Sequence, residues 1–309
     1  MNRNILAWLF AAFSCLPIFA QSAATAIDPC PRDPSTFARV SELADRGSAA
    51  AQATMFDCYE QGRNVSADGK EAIHWLTLSA QQGFVSAEYE LGRTYLYGRG
   101  IPADYNQAIV WEKKAAEAGH VDAQTDLALI YERGFGVSPD PQQAAFWNRK
   151  AAEQGSASAQ LHLADALRDG RGVERNSDEA LKWYLRAAGH GLPEAELRVA
   201  ELYEERQPKG CRSAIEWYQK AARSGLAQAM YRLGQIYQRG SCGRVNLESA
   251  LTWFQIGAKH GSQDSRAAAA ALESKLSSTQ KLRASQAAER WLNQTSPSVK
   301  DEDEESEKH

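Results

Sequence analysis

The residue types that most often carry catalysis or metal binding are sparse in this chain and are not grouped. It contains five cysteines and six histidines, with no C-x-x-C pair and no H-E-x-x-H motif. His120, His190 and His260 each stand next to a glycine, where a helix end would use an imidazole for capping. The many carboxylates fit helix capping or exposure. We therefore predict no catalytic residue, no metal site and no cofactor, with an acid/base pair formed by chance proximity as the alternative.

Paired glycines are a second pattern that could do chemistry, because backbone amides beside glycine can cradle a phosphate. They occur as Gly98-x-Gly100, Gly134-x-Gly136 and Gly170-x-Gly172. No strand signal precedes them and they recur at a regular interval. The sequence therefore favours turns between antiparallel helices, where glycine tolerates a positive φ angle.

The interval belongs to six related stretches that begin at a tryptophan and end at a glycine eight residues later. The tryptophans are 36, 36, 36, 34 and 36 residues apart: Trp75, Trp111, Trp147, Trp183, Trp217 and Trp253. A fixed period in the thirties is typical of stacked helical repeats. An Asp or Asn seven residues before most tryptophans predicts the N-cap of a helix, and the glycine predicts its left-handed end. We expect the tryptophans to be core residues.

A first helix precedes each tryptophan helix. It carries Ala, Leu or Val, and usually Tyr at positions 0, 4 and 8, as in Ala87, Leu91 and Tyr95, which places them on one stripe. The sequence thus predicts an all-α, right-handed α/α superhelical solenoid of six helix-turn-helix repeats with capping helices at both ends. The predicted segments are a signal peptide (1–20), an N-terminal segment with a capping helix (21–47), repeats at 48–83, 84–119, 120–155, 156–191, 192–225 and 226–261, C-terminal capping helices (262–294) and a disordered acidic tail (295–309).

These units resemble the Sel1-like repeat family, a branch of the tetratricopeptide-like α/α solenoids. Between Ala87 and Gly155 the chain follows A-x3-L-G-x2-Y-x2-G-x-G-V and then D-x3-A-x2-W-x2-K-A-A-x2-G almost residue for residue. The resemblance implies an adaptor in assembly or signalling, several relatives acting in bacterial envelopes or host interaction. Some cysteine-rich relatives are described as binding or hydrolysing β-lactams, but they carry a regularly spaced cysteine pair in their repeats, which this chain lacks.

The start of the chain predicts export. Arg3 precedes an apolar run from Ile5 to Phe19, the layout of a secretory signal peptide cleaved after Ala20, with Ala24 or Ala26 as second choices. An uncleaved membrane anchor is the alternative. We expect a monomer without an integral membrane segment after cleavage. The predicted location is the periplasm of a Gram-negative bacterium, with secretion as second choice.

The cysteines that remain after cleavage are even in number, which favours disulfide bonds in an oxidising compartment. Cys211 and Cys242 fall in helix-connecting regions of adjacent repeats, which stacking brings side by side, so we predict that they pair. By elimination Cys30 pairs with Cys58 and ties the N-terminal segment to the first repeat.

Charge and exposure suggest the kind of partner. The formal net charge is −4, and the last ten residues hold six acids and two lysines, so the body is close to neutral and lacks the positive surface that nucleic acid requires. Positions 2, 3 and 6 after the leading alanine of each first helix lie away from the apolar stripe and form the predicted concave face. The predicted partner-binding residues there are Tyr89, Arg93, Asp126, His162, Arg198, Tyr231, Arg232 and Gln235.

The function predicted from these features is a non-catalytic, exported scaffold that holds a protein or peptide in the concave groove. The alternatives are an enzyme acting on cell-wall or β-lactam substrates, and a structural component of an envelope machine such as a flagellar motor or polysaccharide exporter. The face residues could also be merely solvated or packed between helices.

Overall fold

The computed structural model describes residue 27, residues 29–206 and residues 208–295. The predicted signal peptide and residues 296–309 of the predicted tail lie outside the described residues. Fifteen α-helices and no strand are found in the described part of the chain. Their bounds are α1 Pro34–Asp45, α2 Ala49–Gln61, α3 Gly69–Gln81, α4 Val85–Tyr97, α5 Tyr105–Glu117, α6 Val121–Arg133, α7 Pro141–Glu153, α8 Ala157–Asp169, α9 Ser177–Gly189, α10 Pro193–Glu205, α11 Cys211–Arg223, α12 Ala227–Arg239, α13 Leu247–Lys259, α14 Gln263–Glu273 and α15 Ser278–Thr295.

The chain is an all-α solenoid, and it divides into two compact units. Unit 1 ends at Leu127, within α6, and unit 2 begins at Ala128. From α1 to α5 and from α7 to α14 each helix packs mainly against its neighbours in the chain, whereas α15 packs on α13. None of the described helices combines the length and the apolar character needed to cross a membrane.

The second helices begin where the sequence predicts. Asp68, Asp104, Asp140, Asn176 and Asn246 are N-caps whose side chains accept hydrogen bonds from amides of the first turn. α11 instead follows Gly210, which has no side chain to cap the helix. A Cβ atom at Gly210 would collide with the backbone carbonyl of Tyr203, so the shortened fifth repeat replaces a cap by a close backbone approach.

The second helices also end near the predicted glycines. In each second helix the C-cap residue stands directly before the predicted glycine. The six glycines have φ angles between 79° and 98°. Because this left-handed conformation is disfavoured for residues with a Cβ atom, glycine suits the position.

The core is built from the repeated alanines and from the residue that follows each tryptophan. Four of the tryptophans are buried, whereas Trp75 and Trp217 are only partly buried. Leu76, Tyr184, Tyr218 and Phe254, each one residue after a tryptophan, have no exposed surface. Leu197, which the sequence places at a face position, is 4% exposed and packs in the core with Tyr218; the sequence-based expectation for this leucine is wrong because its helix turns that position inward.

Buried glutamine side chains donate hydrogen bonds to backbone carbonyls near the ends of several second helices. Gln52, Gln124 and Gln160 follow the leading alanine of a first helix, and each donates from Nε2 to a carbonyl eight residues earlier. The equivalent Glu196 cannot donate when ionised. Its carboxylate accepts from Lys220 Nζ at 3.1 Å and from the Ser224 hydroxyl at 3.2 Å.

We expect Lys220→Ala to lower the free energy of unfolding by about 2–3 kcal/mol, because it leaves the buried Glu196 carboxylate without its cation. The double variant Glu196→Gln/Lys220→Ala should regain most of the loss, since glutamine can donate to the carbonyl of Ala188 as its counterparts do. Urea unfolding of both variants checks this. A double variant as unstable as Lys220→Ala would contradict the explanation.

The structure contains disulfide bonds between Cys30 and Cys58 and between Cys211 and Cys242, with Cα atoms 4.9 and 5.1 Å apart. These are the pairs that the sequence predicts. The first joins the segment before α1 to α2, where the Cys30 amide also donates to Asp57 at 2.7 Å. The second joins the start of α11 to the loop before α13.

Replacing both Cys211 and Cys242 by serine is expected to lower the free energy of unfolding by about 2–4 kcal/mol, because the closed loop restricts the unfolded chain. Urea unfolding measures the loss, and unreduced wild-type protein treated with an alkylating reagent should gain no mass. Mature protein with four labelled thiols would contradict both bonds.

Candidate partner-binding surfaces

In unit 1, three predicted site residues come together on α4 and α6. The Tyr89 hydroxyl donates to Asp126 Oδ2 at 3.3 Å, and the Arg93 guanidinium carbon lies 5.5 Å from the centre of the Tyr89 ring. Burial raises the pKa of Asp126, although the Tyr89 hydrogen bond and Arg93 oppose this effect. Burial, followed by the neighbouring Asp126, also raises the pKa of Tyr89. These residues form a partly enclosed polar cluster.

The same cluster extends to solvent at the end of α4. The Tyr97 ring is 59% exposed and has the guanidinium carbons of Arg93 and Arg99 at 5.7 and 5.6 Å from its centre. Glu90 lies between the two arginines, 3.6 Å from Arg93 and 3.5 Å from Arg99. We call Tyr89, Glu90, Arg93, Tyr97, Arg99 and Asp126 the unit 1 surface.

His120 differs from its expected role. The sequence predicts that it caps the C-terminus of the preceding helix, but its Nδ1 atom accepts a hydrogen bond from the Ala123 amide at 3.3 Å, at the start of α6. Its ring also stacks on Tyr89, with centroids 4.3 Å apart. Burial lowers the pKa of His120. The His120 imidazole is therefore neutral, and it packs against Tyr89 of the unit 1 surface.

Glu112 is the functional candidate that the sequence analysis missed. It follows Trp111 in α5, it has no exposed surface, and neither carboxyl oxygen has a hydrogen-bond partner. Burial, followed by the nearby Asp126, raises the pKa of Glu112 to about 9, and Arg93 opposes the rise. The carboxyl group is thus protonated at neutral pH. A comparison of the residues that follow the six tryptophans would have identified Glu112, because it is the only acid at that position.

In unit 2, Arg198 and Arg232 belong to a ladder of charges along α8, α10 and α12. Glu201 forms ion pairs with Arg198 at 2.8 Å and with Arg232 at 3.9 Å. Asp165 lies 3.6 Å from Arg198 and 3.7 Å from Arg168. Arg168 also lies 3.7 Å from Glu201, so each acid of the ladder has at least two arginines nearby. These predicted site residues therefore also stabilise the stacking of the first helices.

Tyr231, Arg232 and Gln235 line an open cavity of about 580 Å³ at the end of the repeats, together with His260 and Asp264. Arg232 Nη1 donates to Gln235 Oε1 at 3.5 Å. We call these three residues of α12 the unit 2 surface. Polar groups and one aromatic ring border the cavity, which fits an extended polar ligand better than an apolar one.

His162 lies apart from these residues. It is exposed and borders a separate cavity of about 160 Å³ with Pro141, Ala145 and Asn148 of α7. Within unit 2 the predicted residues therefore occupy more than one place. Within the described residues, no group of three or more His, Cys, Asp or Glu side chains could hold a metal ion.

The six repeats of this chain match the model of a known family. The Sel1 repeat model matches residues 49–84, 85–120, 121–156, 157–192, 193–226 and 227–262, each one residue later than the repeat predicted from the sequence. The chain belongs to the Sel1 repeat family. The glycine turns, the alanine contacts and the buried tryptophans all lie within these six repeats.

Solved structures of other Sel1 repeat proteins resemble this chain. A Sel1 repeat protein from Oxalobacter formigenes is 30% identical, with a TM-score of 0.54, and the alignment covers 69% of this chain and 86% of that one. A protective antigen of uropathogenic Escherichia coli with an SLR fold is 23% identical, with a TM-score of 0.45, covering 84% of this chain and 71% of that one. The search of curated proteins finds no match to this chain.

Proposed function

We propose that this Sel1 repeat protein is an exported, non-catalytic scaffold that binds a protein or peptide through the faces of its first helices. Sel1 repeat proteins are generally scaffolds for protein interactions. The observation that carries the proposal is that partly exposed tyrosine and arginine side chains gather on first helices of both units. These are the unit 1 surface and the unit 2 surface.

The chemistry of these faces favours a protein partner. Tyrosine and arginine are enriched among the residues that dominate protein interfaces, because they combine a large contact area with directional hydrogen bonds. Both signs of charge occur on the unit 1 surface, Arg232 of the unit 2 surface lies 3.9 Å from Glu201, and the net charge of the whole chain is −4. A polyanion such as nucleic acid would instead require an excess of positive charge.

Two disulfide bonds fit an oxidising compartment outside the cytoplasm. Together with the apolar N-terminal sequence, they support our proposal of the periplasm of a Gram-negative bacterium as the site of action. A monomer that presents both surfaces is the form we expect there.

Co-purification with matched variants tests the proposed function. We expect tagged wild-type protein to retain a partner in envelope extracts, and Tyr231→Ala/Arg232→Ala to lose at least about 90% of it, because interface tyrosines and arginines each contribute over 1 kcal/mol. The control is Arg212→Ala, which removes a side chain that is 92% exposed on α11. Equal recovery with all three proteins would contradict binding through the unit 2 surface.

A further inference from the structure

Carboxyl groups outnumber cations beneath the unit 1 surface. Glu90, Asp122 and Asp126 all act electrostatically on Glu112, and Arg93 is the cation that acts on it in the opposite direction. Arg93 is itself held outward, 3.6 Å from Glu90 and within stacking distance of two tyrosines. The cluster is therefore acidic, with its most enclosed carboxyl group unpaired.

The unpaired carboxyl group points toward the first-helix face. A Cβ atom at Gly92 of α4 would lie 2.9 Å from Glu112 Cγ, so the glycine lets the Glu112 side chain run across the α4 backbone. At the equivalent position of a later repeat, the Tyr184 hydroxyl donates to Asp165 on the first helix. In these two repeats the residue after the tryptophan therefore directs a polar group toward its first helix.

In unit 2 a comparable acid has both ion-pair and hydrogen-bond partners. Asp165 there has two arginines, Arg168 at 3.7 Å and Arg198 at 3.6 Å, in addition to the tyrosine hydroxyl. In unit 1 the buried Glu112 lacks any hydrogen-bond partner, and the Nε atom of Arg93 is also buried and unpaired. Buried polar groups without partners are costly and uncommon in folded proteins.

We propose that the unit 1 surface binds an arginine side chain of the partner, whose guanidinium pairs with Glu112, Asp126 and Glu90. This proposal rests on the proposed scaffold function and names the chemistry that one of its surfaces recognises. Arginine fits better than lysine because its planar fork can engage two carboxylates and stack on an exposed ring such as Tyr97. Glu112 has no exposed surface before binding, so the Arg93 side chain, which is 31% exposed, moves outward as the guanidinium enters.

Binding is coupled to loss of the Glu112 proton, because a guanidinium at hydrogen-bond distance favours the carboxylate. Affinity for arginine therefore rises with pH, by up to about tenfold per unit between pH 7 and 9. The charged groups that act on Glu112 are Glu90 and Arg93 on α4 and Asp122 and Asp126 on α6. Other charged or titratable groups of these elements include Tyr89 and Glu88 on α4, Arg99 in the following loop, Lys114 on α5 and His120 before α6. Burial also raises the pKa of Glu88, and Lys114 opposes that rise. His120, with its lowered pKa, stays neutral across this range.

Amide NMR with capped tripeptides tests the proposal on purified full-length protein. We expect acetyl-Gly-Arg-Gly-amide to shift the amide signals of Tyr89, Gly92 and Arg93, and the citrulline peptide, which is isosteric and uncharged, to leave them unchanged. Glu112→Gln should weaken arginine binding about tenfold at pH 8.5 and abolish its pH dependence. Asp126→Asn should weaken it as well, which provides a second variant if either one folds poorly.

Glu117→Gln is the matched control, because it removes the same charge from an exposed position of α5, 59% exposed and paired with Lys113. Its affinity for the arginine peptide should equal that of wild type. Equal shifts with the citrulline peptide, unchanged affinity in Glu112→Gln, or no binding at pH 8.5 would each overturn the arginine site. The scaffold function would still stand in those cases if the partner co-purifies, so the two proposals can fail separately.

Discussion

Glu112→Gln is expected to stabilise the free protein at neutral and alkaline pH, by about 3 kcal/mol at pH 7. The Glu112 pKa is about 9 in the folded protein and 4.5 when unperturbed. Between these values the folded state holds a proton that the unfolded state releases, so the stability of wild type falls as pH rises. The expected slope is about 1.4 kcal/mol per pH unit, and glutamine removes it because it does not titrate.

Urea unfolding at several pH values from 5 to 9 measures this effect. Glu117→Gln serves again as the control, and it should keep the pH dependence of wild type because its carboxyl group is exposed. A Glu112→Gln variant that is less stable than wild type at pH 8, or that keeps the same slope, would show that Glu112 has a cation partner in the free protein.

Trp183→Ala is expected to lower the free energy of unfolding by about 3–5 kcal/mol, because it opens a large cavity in the core. The Trp183 side chain is 7% exposed, its Nε1 atom donates to Glu179 Oε1 at 3.3 Å, and the Arg186 guanidinium carbon lies 4.4 Å from its ring centre. Both contacts lie within unit 2. The loss should appear as a lower urea midpoint with an unchanged slope.

Trp183→Phe separates packing from polar contacts. It keeps most of the ring volume and loses only the hydrogen bond and part of the cation contact, so we expect less than half of the alanine effect. Leu282→Ala, at a side chain that is 59% exposed, should cost under about 0.5 kcal/mol. A Trp183→Ala effect as small as that of Leu282→Ala would contradict a core role for the repeated tryptophans.

The parts of the fold that the sequence predicts well are those that local chemistry determines. Asp104 and Asn246 accept amide hydrogen bonds at helix starts, and Gly119 has the positive φ angle that ends a helix. Such features depend on a few neighbouring residues and recur in each repeat. The Cys211–Cys242 pair could be predicted because a known repeat length brings equivalent loops side by side. The Cys30–Cys58 pair then followed by elimination, and the structure contains both bonds.

The candidate site was harder to predict, because it depends on contacts between helices. The sequence pattern predicts that Arg198 faces a partner, but Arg198 also pairs with Asp165 of α8 and with Glu201 one turn along α10. Leu197 lies in the core, and Glu112, which the sequence places among the capping or exposed acids, is fully buried. A helical pattern places a residue on a face, but only packing decides whether that face meets solvent, a neighbour or an unpaired charge.

Site-specific photo-crosslinking in cells tests the central claim, that the first-helix faces hold a partner protein. A benzophenone amino acid would replace Tyr97 on the unit 1 surface, Gln235 on the unit 2 surface, or Phe146, which is 48% exposed on the second helix α7. We predict that Tyr97 and Gln235 give crosslinks to the same partner, identified by mass spectrometry, and that Phe146 gives none. Crosslinks from Phe146 alone, or none from either surface, would contradict the proposed function.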